Sequence, residues 1–202
     1  MATKVVKSEY NLVQLNELIK KRRSYFPAEY TGEEVPKAVI EQMLENANWA
    51  PTHGKTEPWR FFVFEGEAKK TFADFQADLY KELTPEADFD EKKFTKLSTM
   101  PLKASHVIAI CMKRQQSEKI PEIEEVEAVA CAVQNMYLTV SAYGYGGYWA
   151  SGGVTYKEEA KEFFGLGDKD KLLGFFYVGV PAIDEKEGFR NPYQEKVTWI
   201  SE

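Results

Sequence analysis

The chain has 202 residues, a net charge of -6, 44% hydrophobic residues and 14% aromatic residues. That length suits one globular domain with a core large enough to need no metal or disulfide staple, and the composition excludes a disordered chain. The acidic balance argues against general nucleic-acid binding. No apolar run reaches the roughly 20 residues of a membrane span, and the N-terminal Met-Ala-Thr-Lys-Val-Val-Lys-Ser lacks a signal-peptide core, so a cytoplasmic protein is expected.

Residues 10–22 carry Leu12, Leu15, Leu18 and Ile19 at helical spacing and end on the basic run Lys20-Lys21-Arg22-Arg23-Ser24. Two guanidiniums and a hydroxyl suit a phosphate. Cations at a helix C-terminus, favoured by its dipole, explain the same run without a ligand. Val35, Val39, Ile40, Met43, Leu44 and Ala47 form a second helical stripe, with Pro36 and Glu33-Glu34 at its start. Then comes a Pro-bounded polar loop, Ala50 to Pro58, that leads into Trp59–Phe64, an apolar run read as a strand. Its hydrogen-bonding groups suit a flat, polar-edged ring.

A helix is expected over 67–83 through Phe72, Phe75 and Leu79. Residues 84–104 mix Pro85, Pro101, Asp, Lys and Ser with few periodic apolar positions. They read as an excursion or mobile loop with a helical turn around Phe94 and Leu97, either a lid or a plain insertion. Val107 to Met112 is a buried strand by composition. Pro121 to Tyr143 is the central helix, stopped by Gly144. Gly144 to Gly153 holds five glycines in ten residues and either admits a ligand close to the backbone or is only a tight turn. It is neither a dinucleotide fingerprint nor a P-loop. A short helix over 157–164, a strand from Leu172 to Val180, and a terminal strand over 196–200 complete the reading. The expected fold is α+β, a single three-layer domain over 1–202 with a mixed central sheet flanked by helices.

Acid–base signatures are poor. His53 and His106 are the only histidines, neither at metal-ligand spacing with a Cys or His, so no metal site is expected. There is no GxSxG, and Cys111 and Cys131, in apolar contexts, read as buried, reduced thiols. With no catalytic side chain to name, the chemistry is expected to rest on a cofactor.

Four blocks in order resemble the FMN-dependent nitroreductase family, in its small NAD(P)H nitroreductase branch. They are Arg22-Arg23-Ser24, Ala50-Pro51-Thr52-His53 through Pro58-Trp59-Arg60-Phe61, Gly146 to Gly152, and Leu173 to Pro181. The resemblance spans roughly residues 12–200. It implies a homodimer with FMN at the subunit interface, NAD(P)H as reductant, and a nitroaromatic, quinone or similar acceptor served by a ping-pong mechanism. It implies that Arg22, Arg23 and Ser24 hold the phosphate and ribityl end. Pro51, Thr52, His53 and Lys55 would reach the partner's flavin, with Lys55 a candidate cation for its N1 edge. Trp149, Ala150 and Ser151 would line the ring or ribityl region, and Arg190 would contact the phosphate. Ala150 and Glu57 depart from the family's usual Arg and Gln. A flavin reductase, or a non-catalytic flavin-binding protein on the same fold, is the alternative.

Overall fold

The structure is a computed structural model that describes residues 9–183 and 185–201. Helix α1 (Leu12–Lys21) begins on Asn11, whose Oδ1 accepts from the Val13 and Gln14 N–H groups at 3.1 Å, and ends on Lys20 and Lys21. No residue of α1 is buried. Helix α2 (Lys37–Asn48) buries the expected stripe of Val39, Ile40, Met43 and Ala47. Strand β1 (Trp59–Phe64) and helix α3 (Ala68–Leu83) follow. Strand β2 (His106–Met112) is buried along its whole length, and the 21-residue helix α5 (Glu122–Ala142) crosses the molecule. Helix α6 (Ala160–Phe163) and strand β4 (Lys171–Gly179) lie where periodicity placed them.

With β3 at Gly146–Ala150, the four strands are ordered β1-β2-β4-β3 and pair antiparallel. The parallel component of the sheet is the single bridge between Ser24 and Gly147. Alternation along β2 divides the core into the two layers that flank the sheet. Ile108, Ile110 and Met112 pack with α2 and α5 around Met43, Met136 and Phe176. Val107, Ala109 and Cys111 face the other way, toward Phe72, Phe164 and Phe175. Each fully buried side chain of this size is worth about 1.5–3 kcal/mol.

Three segments differ from the sequence expectation. Residues 84–104 hold a thirteen-residue helix, α4 (Glu91–Lys103), capped by Asp90 and packed on α3, with Gln76 Nε2 donating to the Leu97 carbonyl at 2.9 Å. Its apolar positions are few because it covers α3 along one narrow seam. Gly146–Ala150 is a strand, β3. Its glycines answer crowding as well as turning, since a Cβ on Gly147 would lie 2.7 Å from the Phe176 ring. Opposite, Gly174 has φ +128° and a Cβ there would meet the Ala150 carbonyl at 2.4 Å. Finally, 196–200 forms no strand within this chain: Tyr193–Lys196 is a 3₁₀ turn and Trp199 is 84% exposed. The alternating segment pairs with neither edge strand of its own chain.

Candidate functional site

The end of α1 feeds directly onto the edge of the sheet. The Tyr25 N–H donates to the Gly147 carbonyl at 3.1 Å, which lays Ser24 beside β3. Tyr137, from the C-terminal half of α5, ties the junction. Its hydroxyl lies 3.3 Å from Ser24 Oγ and accepts the Trp149 N–H at 2.7 Å. The Arg22 guanidinium stacks over the Tyr137 ring, 4.7 Å from the centroid. Among the described residues no carboxylate pairs with Arg22, which lines a groove of about 790 Å³. Tyr137 was read only as part of an apolar stripe; a hydroxyl in an otherwise aliphatic helix face was the available signal.

Arg23 is differently employed. Its side chain donates to the carbonyls of Lys20, Arg22 and Lys186, so it closes the end of α1 and anchors the C-terminal tail. Lys186 in turn donates to the Ser24 carbonyl and to Glu29, each within 3.0 Å. Burial alone would raise the Glu29 carboxyl, but the Lys186 hydrogen bond and the Phe26 N–H hold it below its ordinary 4.5.

Backbone parity shows what β3 offers. In an antiparallel strand, alternate residues turn both polar groups to the same edge. The Gly147 carbonyl and the Trp149 N–H face away from β4, toward Tyr25 and Tyr137. Ser151 follows the last residue of β3 and is exposed, and no hydrogen-bond partner for its N–H is found among the described residues. The Trp149 indole is structural: it donates to the Leu173 carbonyl at 3.0 Å and packs against the core.

Below this edge, a cleft of about 290 Å³ opens between β3, β4 and α4. Tyr148, Phe175 and Tyr177 supply flat walls, and Ala150, Gly152 and Gly153 bring the backbone close. Burial pushes the Tyr177 hydroxyl well above the ordinary tyrosine range, with the nearby Tyr148 acting in the same direction and the Gln76 hydrogen bond opposing, so Tyr177 stays protonated. Lys93, Lys96 and Gln76, which sequence reading did not assign to a site, also line this cleft.

The loop after α2 lies elsewhere. His53 Nδ1 meets Glu124 in the first turn of α5 at 2.5 Å, Thr52 and Thr56 share a 3.0 Å hydroxyl contact, and Pro51 and Lys55 are exposed. With a rise of about 1.5 Å per residue, Glu124 and Tyr137 stand about 20 Å apart along α5. One chain therefore joins Arg22, Ser24, Trp149, Ala150 and Ser151, but not Pro51, Thr52, His53 or Lys55. Arg190 is exposed, its guanidinium donating to the Phe189 carbonyl. His106 is buried, with Nδ1 2.8 Å from Ser105 Oγ, and plays no part in the site.

Comparison with known proteins identifies the family and the fold. The Nitroreductase family model matches residues 19–180. Escherichia coli YdjA, named as a candidate NAD(P)H nitroreductase, is 31% identical over 162 residues, covering 80% of this chain and 84% of YdjA. A solved nitroreductase-like family protein from Bacillus cereus superposes with a TM-score of 0.81 at 27% identity, covering 96% of this chain and 99% of that one. A candidate nitroreductase from Desulfovibrio desulfuricans, solved in complex with FMN, shares the fold, with a TM-score of 0.68 at 22% identity over 95% of this chain and 98% of that one.

Proposed function

Since the chain belongs to the nitroreductase family, an oxidoreductase family, we propose that it is an FMN-dependent enzyme that carries electrons from NAD(P)H to an aromatic acceptor. The observation that carries this reading is the Ser24–Tyr137–Trp149 chain. It places the Arg22 guanidinium, without an ion-pair partner among the described residues, and a hydroxyl at one end of an open strand edge whose other end borders an aromatic cleft. Those groups fit a flat ring bearing a monophosphate: Arg22 and Ser24 for the phosphate and ribityl end, the Ser151 N–H for a ring-edge acceptor, and Tyr148 and Ala150 for the ring face. FMN held there would accept a hydride from NAD(P)H and deliver two electrons onward, reducing a nitro group to a nitroso group and water with one further proton.

The chain's own groups hold and orient; none is needed as a general base. A cleft over one ring face admits one flat ligand at a time, so the reductant leaves before the acceptor enters and the kinetics are ping-pong. The site is completed in a homodimer. The loop carrying Pro51, Thr52, His53 and Lys55 lies about 20 Å along α5 from Tyr137 and serves the partner's flavin, where Lys55 is available to the reduced ring's negative edge. Arg190 joins the phosphate end once the tail is seated. Cys111 is buried, which raises its thiol to about 12, but Cys131 on the solvent side of α5 is exposed, against the expectation of two buried thiols; both are free and fit a reducing cytoplasm.

The test is the visible spectrum of purified protein and the identity of its released chromophore. A flavin spectrum with FMN released is expected. Release of FAD, or a protein that takes up no flavin, would overturn the assignment.

A further inference from the structure

This inference rests on the proposed redox function and concerns the acceptor. The 290 Å³ cleft is lined by two lysines, Lys93 and Lys96, and by no carboxylate. That bias stands out in a chain whose net charge is -6. Several other lysines are paired with carboxylates, as in Lys161–Glu158 and Lys113–Asp170, whereas among the described residues Lys93 and Lys96 have no carboxylate partner. The two are three residues apart on α4, so they share one helix face. The Lys93 ammonium is held over the Tyr80 ring at 4.5 Å, which keeps it at the cleft wall. Lys93 and Gly153 also line an adjoining cavity of about 230 Å³, which adds Lys157 and one carboxylate, Asp88. The trough is thus aromatic at its floor and net cationic along its α4 side.

We propose that Lys93 and Lys96 select aromatic acceptors that carry an acidic substituent, a carboxylate or a group of like charge, over their neutral analogues. A flat ring enters this trough, and its substituent points toward α4. The surrounding charge is long-ranged and partly exposed, so selectivity is moderate and salt-sensitive.

Binding can be separated from turnover. Benzoate and benzamide, neither reducible here, are titrated into the FMN-loaded protein and into a Lys93→Gln/Lys96→Gln variant. The wild type is expected to bind benzoate more tightly relative to benzamide, and the double variant to lose about fivefold to tenfold of that ratio at low ionic strength. Lys93→Arg/Lys96→Arg should restore it, and salt should erase it. An equal ratio in wild type and double variant overturns the proposal. The same comparison with 4-nitrobenzoate and 4-nitrobenzamide as acceptors should show the loss in KM. Charge-dependent binding of benzoate with turnover of neither nitro compound would keep the cationic cleft and refute the redox function, so the two failures are distinguishable.

Discussion

Arg22 and Arg23 are neighbours in a basic run, yet the structure gives them different work. Arg23 is committed to three backbone carbonyls and behaves as the helix-end cation that the dipole favours. Arg22 has a ring beneath it and, among the described residues, no ion-pair partner, although Glu17 and Glu185 line the same groove. Arg22→Ala is therefore expected to cost one charge-assisted hydrogen bond, roughly 1.5–3 kcal/mol, or about tenfold to a hundredfold in FMN affinity, with little change in melting temperature. Arg23→Ala should show the reverse, a lower melting temperature with a smaller effect on FMN. Fluorescence titration and thermal unfolding of both variants check the pair; equal FMN affinity in wild type and a folded Arg22→Ala protein would remove Arg22 from the phosphate site. Tyr137→Phe deletes the one hydroxyl shared by Ser24 and the Trp149 N–H, and should cost about 1 kcal/mol of stability and loosen FMN binding with it.

At the scale of elements, the β3–β4 pair decides whether the site has an edge at all. Gly174→Ala would force a side chain into a positive φ and against the Ala150 carbonyl, so a loss of about 3 kcal/mol is expected by urea unfolding, along with FMN binding. An unchanged midpoint would mean that β3 does not sit against β4 as described. The tail is fastened by a pH-dependent contact. Because the folded carboxyl of Glu29 lies below its ordinary 4.5, its contribution is present above that value and is lost as pH falls through the lower folded value. The stability gap between wild type and Lys186→Ala should thus be steady from neutral pH down to about 5 and close at more acid pH. A gap that widens in acid would contradict the Glu29–Lys186 clamp.

These elements also show what sequence made visible. The stripes of α2, α3 and α5 and the continuous apolar run of β2 were legible because each buries a full face, and burial writes a period. Strand β3 was hidden because Gly146 and Gly147 replace the β-branched residues that usually announce a strand; they are there to let Phe176 and Tyr30 approach. Helix α4 was hidden because it covers a helix, with Pro101 inside it and lysines around it. At the site, Arg22, Ser24 and the 149–151 block were legible as clusters. Lys93, Lys96 and Gln76 were not, because only the packing of α3 and α4 brings them to the cleft.

For the whole molecule, α1 poses the clearest demand. Leu12, Val13, Leu15 and Ile19 are exposed, as are Phe189, Trp199 and Ile200 in the tail. Such surface on one chain is what a homodimer would bury. Leu15→Glu/Ile19→Glu should be nearly neutral for a monomer, whose surface changes rarely exceed about 0.5 kcal/mol. For the proposed dimer it should halve the mass seen by light scattering and weaken FMN together, because the 51–55 loop would no longer reach the partner's site. A wild-type monomer that retains FMN at micromolar concentration would refute the shared site. No helix of the described residues is long and apolar enough to cross a membrane.

The central claim, electron transfer through one aromatic cleft from NAD(P)H to a second ligand, is tested most directly by anaerobic spectroscopy of the FMN-loaded protein. NADH or NADPH alone should bleach the visible flavin band, and a nitroaromatic or quinone added afterwards should restore it, with parallel double-reciprocal lines in the steady state. Bleaching that requires the acceptor to be present would contradict the one-cleft mechanism. Bound FMN that neither nicotinamide bleaches would contradict the oxidoreductase function itself and leave a protein that only binds flavin.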